Sequence, residues 1–213
     1  SLAYSNVSML NSKNLSYNKK ETSISASLQS QFKESQSYSF DVSRKSIDVE
    51  KVTDRSSILA EKFANAKPIR GEFDVLLHPV EVSNFLAQVL ISSLDGENVF
   101  RKKSFFVDKL GEVVTNEKIS IYDDPEIPYG IASDFCDDEG VRCSRKALIE
   151  KGVLKNFMYD LETAYLANKK STGHGFKAGF ITYPDIMQTN VRVESKEHEK
   201  IEEFKGVFIY GLI

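Results

Sequence analysis

The chain of 213 residues carries a formal net charge of −3, and hydrophobic residues make up 41% of it. This length fits one large domain or two small ones and allows a sizeable core. The acidic balance excludes a general nucleic-acid binder, which needs a basic face to displace counterions. No apolar run approaches the ~18 residues that a membrane span needs. We therefore expect no nucleic acid and no membrane among the partners.

The first 45 residues show the period-two alternation of half-buried antiparallel strands. Within residues 22–32, Ile24, Ala26 and Leu28 fall on one face, and Ser and Gln fall on the other. A region so rich in strands offers either an open edge for an extended peptide or the surface of a dimer.

A helix is predicted over residues 48–66, because Asp48 is a good N-cap. A short strand is predicted over residues 74–77. Pro79 suits the first turn of a second helix, which ends at Asp95 and the glycine after it. Strands followed by covering helices indicate α+β layering rather than repeated βαβ units.

The second half of the chain alternates short strands and short helices. The predicted elements are strands at 105–107, 119–122, 153–159, 190–194 and 206–213, a helical turn at 147–151, and helices at 161–167 and 196–204. The chain ends in an apolar run, and a domain seldom stops inside a buried strand. We therefore expect the chain to be a piece of something longer.

Two cysteines, Cys136 and Cys143, are the only thiols. A disulfide remains one alternative, but a Cys-poor chain without a visible signal peptide is usually reduced and cytoplasmic. Zinc pairs usually lie two to four residues apart, and the three histidines show no partner spacing. Plain buried thiols are therefore favoured over a metal pair.

Acidic doublets at Asp123-Asp124 and Asp137-Asp138 open a series of short motifs. The others are Ser104 with Lys109-Leu110-Gly111-Glu112, Gly130, Glu139-Gly140, Gly152-Val153-Leu154, Thr163-Ala164, Ser171-Thr172-Gly173, Pro184 and Thr189-Asn190. In this order they resemble the C-terminal half of the TldD/PmbA family, also called TldD/TldE and formerly modulators of DNA gyrase. The agreement covers residues 71–206, and residues 1–70 agree more loosely.

The resemblance implies an α+β fold with a strongly curved, mostly antiparallel and barrel-like sheet and packed helices. It divides the chain into a β-rich segment with one helix, residues 1–70, and a TldD/PmbA-like C-terminal domain, residues 71–213. The two would form one continuous domain that is truncated at both ends.

The resemblance also implies a chemistry. The TldD-type subunit resembles a metallopeptidase whose helix carries a His-Glu-x-x-x-His motif. Two His hold zinc, the Glu polarises the attacking water, and a later Cys completes the site. The TldE or PmbA partner lacks these ligands, and the pair degrades unfolded peptides.

In this chain the motif is degenerate. His78 stands at the first His, but Pro79 replaces the Glu and Ser83 replaces the second His. Proline cannot shuttle a proton, and a neutral serine hydroxyl is a poor zinc ligand. Glu81 lies about 200° round the helix from Pro79 and cannot take its place. We therefore assign no catalytic residue and no metal to this chain, and we expect the zinc in a partner subunit.

Two segments remain as candidate binding elements. Thr172, Gly173, His174 and Gly175 either line a peptide groove, since glycines let a backbone approach closely, or form a plain turn. The acidic residues 137–139 lack the spacing of a calcium loop. A helix cap or pairing with nearby Arg and Lys is favoured for them.

Three functions are therefore open. The first is the non-metal subunit of a TldD/TldE-type peptidase acting on small unfolded peptides, with a TldD-like subunit or a second copy as partner. The second is a stand-alone adaptor that binds peptides or proteins. The third is an active metallopeptidase with a rebuilt site that uses His78, Cys136 or Cys143 and a ligand from outside the chain.

Overall fold

The computed structural model describes residues 1–12, 14–179, 181–196 and 204–209. They divide into two compact units. The first comprises Ser1–Gly71 with Pro128–Ile131, and the second comprises Glu72–Ile127 with Ala132–Ile213. Among the described residues, no helix is long and apolar enough to cross a membrane.

The first unit is a three-stranded antiparallel meander with one helix. The strands are β1 (Leu2–Leu10), β2 (Ser16–Phe32) and β3 (Ser35–Ser43), in the order β1-β2-β3. The helix α1 (Val49–Ala64) begins at Asp48, whose carboxylate accepts a hydrogen bond from the backbone N–H of Lys51. The predicted strands and helix of this region are thus confirmed.

Helix α1 packs on β2 and β3. Its buried stripe is Val52, Ser56 and Ala60, spaced by four residues as one helix face requires. The side chain of Ser56 donates to the carbonyl of Leu28, and the Ser37 hydroxyl donates to the carbonyl of Ser56. Small polar residues therefore let the helix lie close to the sheet.

The second unit is built from short strands and helices. The strands are β4 (Val75–Leu77), β5 (Ile119–Asp123), β6 (Lys146–Glu150), β7 (Val153–Leu154), β8 (Gly175–Phe176), β9 (Asp185–Ile186), β10 (Val191–Ser195) and β11 (Val207–Ile209). The helices are α2 (Pro79–Phe85), a π-helical segment (Leu86–Ile91), α3 (Ser92–Leu94), α4 (Gly96–Phe100) and α5 (Leu161–Leu166).

The described sheets are mostly antiparallel. A four-stranded sheet has the order β10-β5-β6-β7, β8 pairs with β9, and only β11 with β4 is parallel. The mixed α/β, mainly antiparallel fold is therefore confirmed. These sheets are open within the described residues, so barrel-like closure stays a prediction.

The core of the second unit lies between the β5-β6-β7 part of the sheet and the end of the helical stretch. Leu94, Leu148 and Leu154 are fully buried there, with Ile149 and Met158 almost so. Asp95 ends the long helical stretch, and its carboxylate then caps α4 by accepting from the N–H of Glu97.

Three local predictions are wrong. Residues 105–107 form turns rather than a strand, and residues 146–150 form strand β6 rather than a helical turn. The strand predicted over 153–159 stops at Leu154. The predicted helix at 196–204 falls mostly on residues 197–203, outside the described residues, as does the end of the strand predicted over 206–213.

Candidate functional site

A groove of about 550 Å³ lies between helix α2, the π-helical segment and strand β10. Its helical wall includes Pro79, Ser83 and Ala87, and the opposite wall includes Thr189, Val191 and Val193. Pro79 and Ser83 are four residues apart, so they share one helix face. The two positions that the resemblance assigns to the Glu and the second His of the zinc motif therefore both face this groove.

The helix starts here because of local capping. His78 is the N-cap of α2, and its Nδ1 atom accepts a hydrogen bond from the N–H of Val80 at 3.2 Å. Pro79 occupies the first helical position, where its missing N–H has no intrahelical partner to lose. The hydroxyl of Ser83 donates to the carbonyl of Pro79 at 3.0 Å.

These residues do not fit a zinc ion. Because Nδ1 of His78 accepts a hydrogen bond, Nε2 carries the proton of the neutral ring and has no lone pair to offer. Ser83 is engaged with the helix backbone, and Glu81 is buried at 4% exposure while Pro79 and Ser83 line the groove. No group of three His, Cys, Asp or Glu suited to a metal occurs among the described residues.

A buried polar network supports the opposite wall of the groove. We call it the His174 network, and its members are Thr172, His174, Asp123 and Thr189. Nε2 of His174 lies 3.0 Å from Oδ2 of Asp123, and its Nδ1 lies 2.7 Å from the hydroxyl of Thr172. Thr189 donates its N–H to Oδ1 of Asp123 at 2.6 Å and its hydroxyl to Oδ2 at 2.8 Å.

The centre of the His174 network is sealed from solvent, while Thr172 is half-buried. His174 is 0% exposed and Asp123 is 1% exposed. A buried carboxylate needs several donors to offset its lost hydration, and Asp123 receives three. The network thereby fixes the backbone at Thr189, which lines the groove.

Asp137, in the second acidic doublet, also accepts hydrogen bonds from backbone N–H groups. Asp137 accepts from the N–H groups of Glu139 and Val141 with one oxygen and from that of Gly175 with the other. Burial raises the pKa of Asp137, although these three hydrogen bonds lower it. Glu139 accepts from the N–H of Leu161, the first residue of α5, at 2.7 Å, and Asp160 is the N-cap of that helix.

The candidate segment 172–175 lies in this buried region. Gly173, His174 and Gly175 are buried, and a Cβ on Gly175 would lie 2.3 Å from a carboxylate oxygen of Glu139. Gly173 has a φ of +74°, and a Cβ there would lie 2.7 Å from the carbonyl oxygen of Arg142. The lack of a side chain at Gly175 thus leaves room for the carboxylate of Glu139, and the lack of one at Gly173 leaves room for the backbone of Arg142.

Neither cysteine is disulfide-bonded, and both are buried. The Sγ atom of Cys143 donates to the carbonyl of Gly173 at 3.3 Å. Burial, with smaller help from the charge of Asp137, raises the pKa of Cys143 to about 12. Such a thiol stays protonated at neutral pH, which makes it a poor nucleophile or metal ligand.

Lys146 lies among these acidic groups. Its ammonium group donates to the carbonyl of Ser144 at 2.8 Å. Burial lowers the pKa of Lys146, while the negative charge of Asp123 opposes that shift. The lysine therefore supplies positive charge near a carboxylate that is itself out of contact with water.

Sequence reasoning missed the His174 network as a unit. The acidic doublet that contains Asp123 is visible in the sequence, but His174 lies 51 residues from Asp123 and Thr189 lies 66 residues from it. The only available signal was the presence of a histidine in a Gly-rich turn and a Thr-Asn pair beyond it. Neither gives a spacing that identifies a shared partner.

Residues 70–213 match the model of the PmbA/TldA metallopeptidase C-terminal domain. The chain therefore belongs to the PmbA/TldD metallopeptidase family.

Relatives and solved structures agree with this family. The chain is 31% identical over 205 residues to an uncharacterized protein of Methanocaldococcus jannaschii, covering 96% of this chain and 49% of that one. It is 31% identical over 157 residues to a metalloprotease of the same organism, covering 71% and 35%. The chain thus spans half or less of the length of these relatives.

The fold matches the crystal structure of TldE from Thermococcus kodakarensis with a TM-score of 0.82. The match has 24% identity over 92% of this chain and 46% of that one. A candidate modulator of a DNA gyrase from Thermotoga maritima matches with a TM-score of 0.67, at 28% identity over 80% and 40%.

Proposed function

We propose that this chain belongs to the non-metal-binding subunit of a TldD/TldE-type metallopeptidase complex that acts on small unfolded peptides. The observation that carries the proposal is the placement of Pro79 and Ser83 on the wall of the groove. In the metal-bearing subunit these positions hold the Glu and the second His. Here Pro79 and Ser83 offer neither a general base nor a good zinc ligand, which supports the proposal.

The groove itself suits an extended peptide. Val191 and Val193 lie two residues apart on β10, so their side chains share the face that lines it. Strand β10 also forms the edge of the described four-stranded sheet. An extended chain could hydrogen-bond to such an edge while its side chains contact the apolar wall.

Under this proposal, the segment Thr172–Gly175 contributes to peptide binding indirectly. His174 holds Asp123, and Asp123 holds the backbone N–H of Thr189 at the groove. The partner subunit would supply the zinc and carry out the hydrolysis, and this subunit would hold the substrate.

Bound zinc tests the division of labour. The full-length protein would be purified alone and after mixing with a homologue whose His-Glu-x-x-x-His motif is intact, and zinc per chain would be measured by elemental analysis. We expect no zinc alone and one zinc per heterodimer, together with degradation of an unfolded peptide. Stoichiometric zinc and chelator-sensitive proteolysis by the chain alone would overturn the proposal.

Substrate holding has its own test. Ala87→Arg places a long cation in the groove, whereas the neighbouring Gln88→Arg is an exposed control outside the groove lining. In the reconstituted complex, Ala87→Arg should raise the KM for a peptide about tenfold, the scale of one lost apolar contact. Equal effects of the two variants would contradict a peptide site here. Peptide binding without any effect on the partner's proteolysis would favour the adaptor function.

A further inference from the structure

We propose that the groove selects unfolded peptides by one uncharged, apolar side chain, which it holds apart from the zinc of the partner subunit. This inference rests on the proposed function and names the class of residue that a substrate presents to this subunit. It is carried by the side chains that line the groove between α2, the π-helical segment and β10. These residues all belong to the second unit, and their chemistry determines what the groove accepts.

Aliphatic side chains form most of the lining. Ile91 is 7% exposed and belongs to the core of the second unit, and Val191 packs against the same core. Leu77, Val82 and Leu86 also line the groove and are half-buried. A peptide side chain that reaches these residues leaves water, so the hydrophobic effect favours an apolar one. Burial of a Leu-sized side chain supports a gain in affinity of about tenfold.

The groove has an uncharged lining. No Lys, Arg, Asp, Glu or His lines it in the part of the chain that the structure describes. Glu81 lies on the same helix, but it is 4% exposed and does not belong to the lining. A Lys or Glu side chain of a peptide would therefore lose hydration on entry without gaining a counter-charge. The groove thus discriminates against charged side chains as well as in favour of apolar ones.

The hydroxyl groups of the lining are engaged within the fold. The hydroxyl of Ser83 donates to the carbonyl of Pro79, and the hydroxyl of Thr189 donates to the carboxylate of Asp123. Asp123 itself is 1% exposed and accepts hydrogen bonds from Thr189 and His174, so it does not act as a counter-charge for a cation in the groove. These polar groups therefore stabilise the walls rather than a charged substrate group.

Gln188 favours a peptide over a plain hydrocarbon chain as the occupant. Its side chain lines the groove, is exposed, and makes no hydrogen bond to the other described residues. A side-chain amide can donate to one peptide group and accept from another, and a lipid tail offers neither partner. The groove volume of about 550 Å³ lies in the range of ligand sites and admits a large apolar side chain.

Peptide variants test the selectivity. The full-length protein, reconstituted with a homologue whose His-Glu-x-x-x-His motif is intact, receives unfolded Gly-Ser peptides that carry Leu, Lys or Glu at one position. We expect the KM for the Lys and Glu peptides to exceed that for the Leu peptide about tenfold, with kcat nearly unchanged, because a remote contact binds the ground state and the transition state alike. Equal KM values would overturn the inference and leave the proposed function intact. A complex without proteolysis would overturn the proposed function, and the inference with it.

Substitution at Ala87 tests whether the preference arises in the groove. Ala87→Glu places a carboxylate in the lining, so the KM for the Lys peptide should fall below that for the Leu peptide. Ala87→Gln adds a similar volume without the charge and should not favour Lys over Glu. Gln88→Glu adds the charge outside the lining and should keep the wild-type order. An unchanged order in Ala87→Glu, as expected where another segment of the full-length chain fills the groove, would overturn the inference.

Discussion

Nε2 of His174 and Oδ2 of Asp123 lie 3.0 Å apart in a pocket of the second unit that solvent does not reach. The same carboxylate holds the backbone and the hydroxyl of Thr189. One acidic side chain thus links the end of strand β5 to two distant loops. Its removal would leave several buried donors without an acceptor at once.

The first prediction concerns Asp123. Asp123→Ala should lower the free energy of unfolding by about 3 kcal/mol, because it leaves the donors of His174 and Thr189 unsatisfied. Asp138→Ala is the control, since this exposed carboxylate accepts only the N–H of Lys177 among the hydrogen bonds described here. Urea unfolding measures the stability of both variants. Similar losses of unfolding free energy would show that the buried hydrogen bonds of Asp123 stabilise the fold no more than the exposed one of Asp138.

The second prediction isolates one hydroxyl. Thr189→Val retains the side-chain shape but removes the donor to Oδ2 of Asp123, which should cost about 1 kcal/mol. Thr182→Val removes an exposed hydroxyl and should change stability by no more than about 0.5 kcal/mol. Chemical denaturation of the two variants checks the difference. A neutral Thr189→Val would mean that His174 and the backbone N–H of Thr189 satisfy the carboxylate without the hydroxyl.

The third prediction concerns the close approach of Gly175 and Glu139. Gly175→Ala should cost about 1–3 kcal/mol, because the new Cβ displaces the Glu139 carboxylate, which accepts a hydrogen bond from the first N–H of α5. In a Glu139→Ala background the same change should cost clearly less. A double-mutant cycle by urea unfolding measures this coupling. If the losses of unfolding free energy from the two single changes simply add in the double variant, the cost of Gly175→Ala does not arise from contact with Glu139.

The fourth prediction concerns alkaline pH. The folded-state pKa of Cys143 is raised by burial to about 12 from an ordinary value of 9.0. The folded state therefore binds the thiol proton more tightly than the unfolded state. This contribution is fully present below pH 9 and is lost as the pH rises toward 12, with a slope of at most about 1.4 kcal/mol per pH unit.

Cys143→Ser keeps a hydrogen-bond donor to Gly173 and does not ionise in this range. Its stability should therefore decline less steeply than that of the wild type between pH 9 and 12. Urea unfolding at several pH values compares the two slopes. Parallel curves would show that the thiol proton does not contribute to the alkaline loss.

The sequence predicted elements that local rules specify. Alternation identified β2, and the cap at Asp48 identified the start of α1. Pro79 identified the start of α2. In each case the deciding signal lies within a few residues of the element.

Strand β6 could not be predicted from local sequence signals. Residues 147–151 contain Ala, Leu, Ile and Glu, which favour a helix on propensity, but pairing with β5 and β7 makes them a strand. Long-range pairing likewise created the His174 network. The groove wall at Thr189 could not be foreseen from its neighbours, because its anchor, Asp123, comes from a distant part of the chain.

The π-helical segment Leu86–Ile91 has a consequence for chain length. A π-turn holds one residue more than an α-turn, so the helix absorbs an extra residue without a loop. Ala87, at the start of this segment, lines the groove, and Leu94, after its end, lies in the core. A related chain that is one residue shorter can keep the same frame on both sides. In a superposition of the two, the gap belongs within these six positions rather than in a flanking loop.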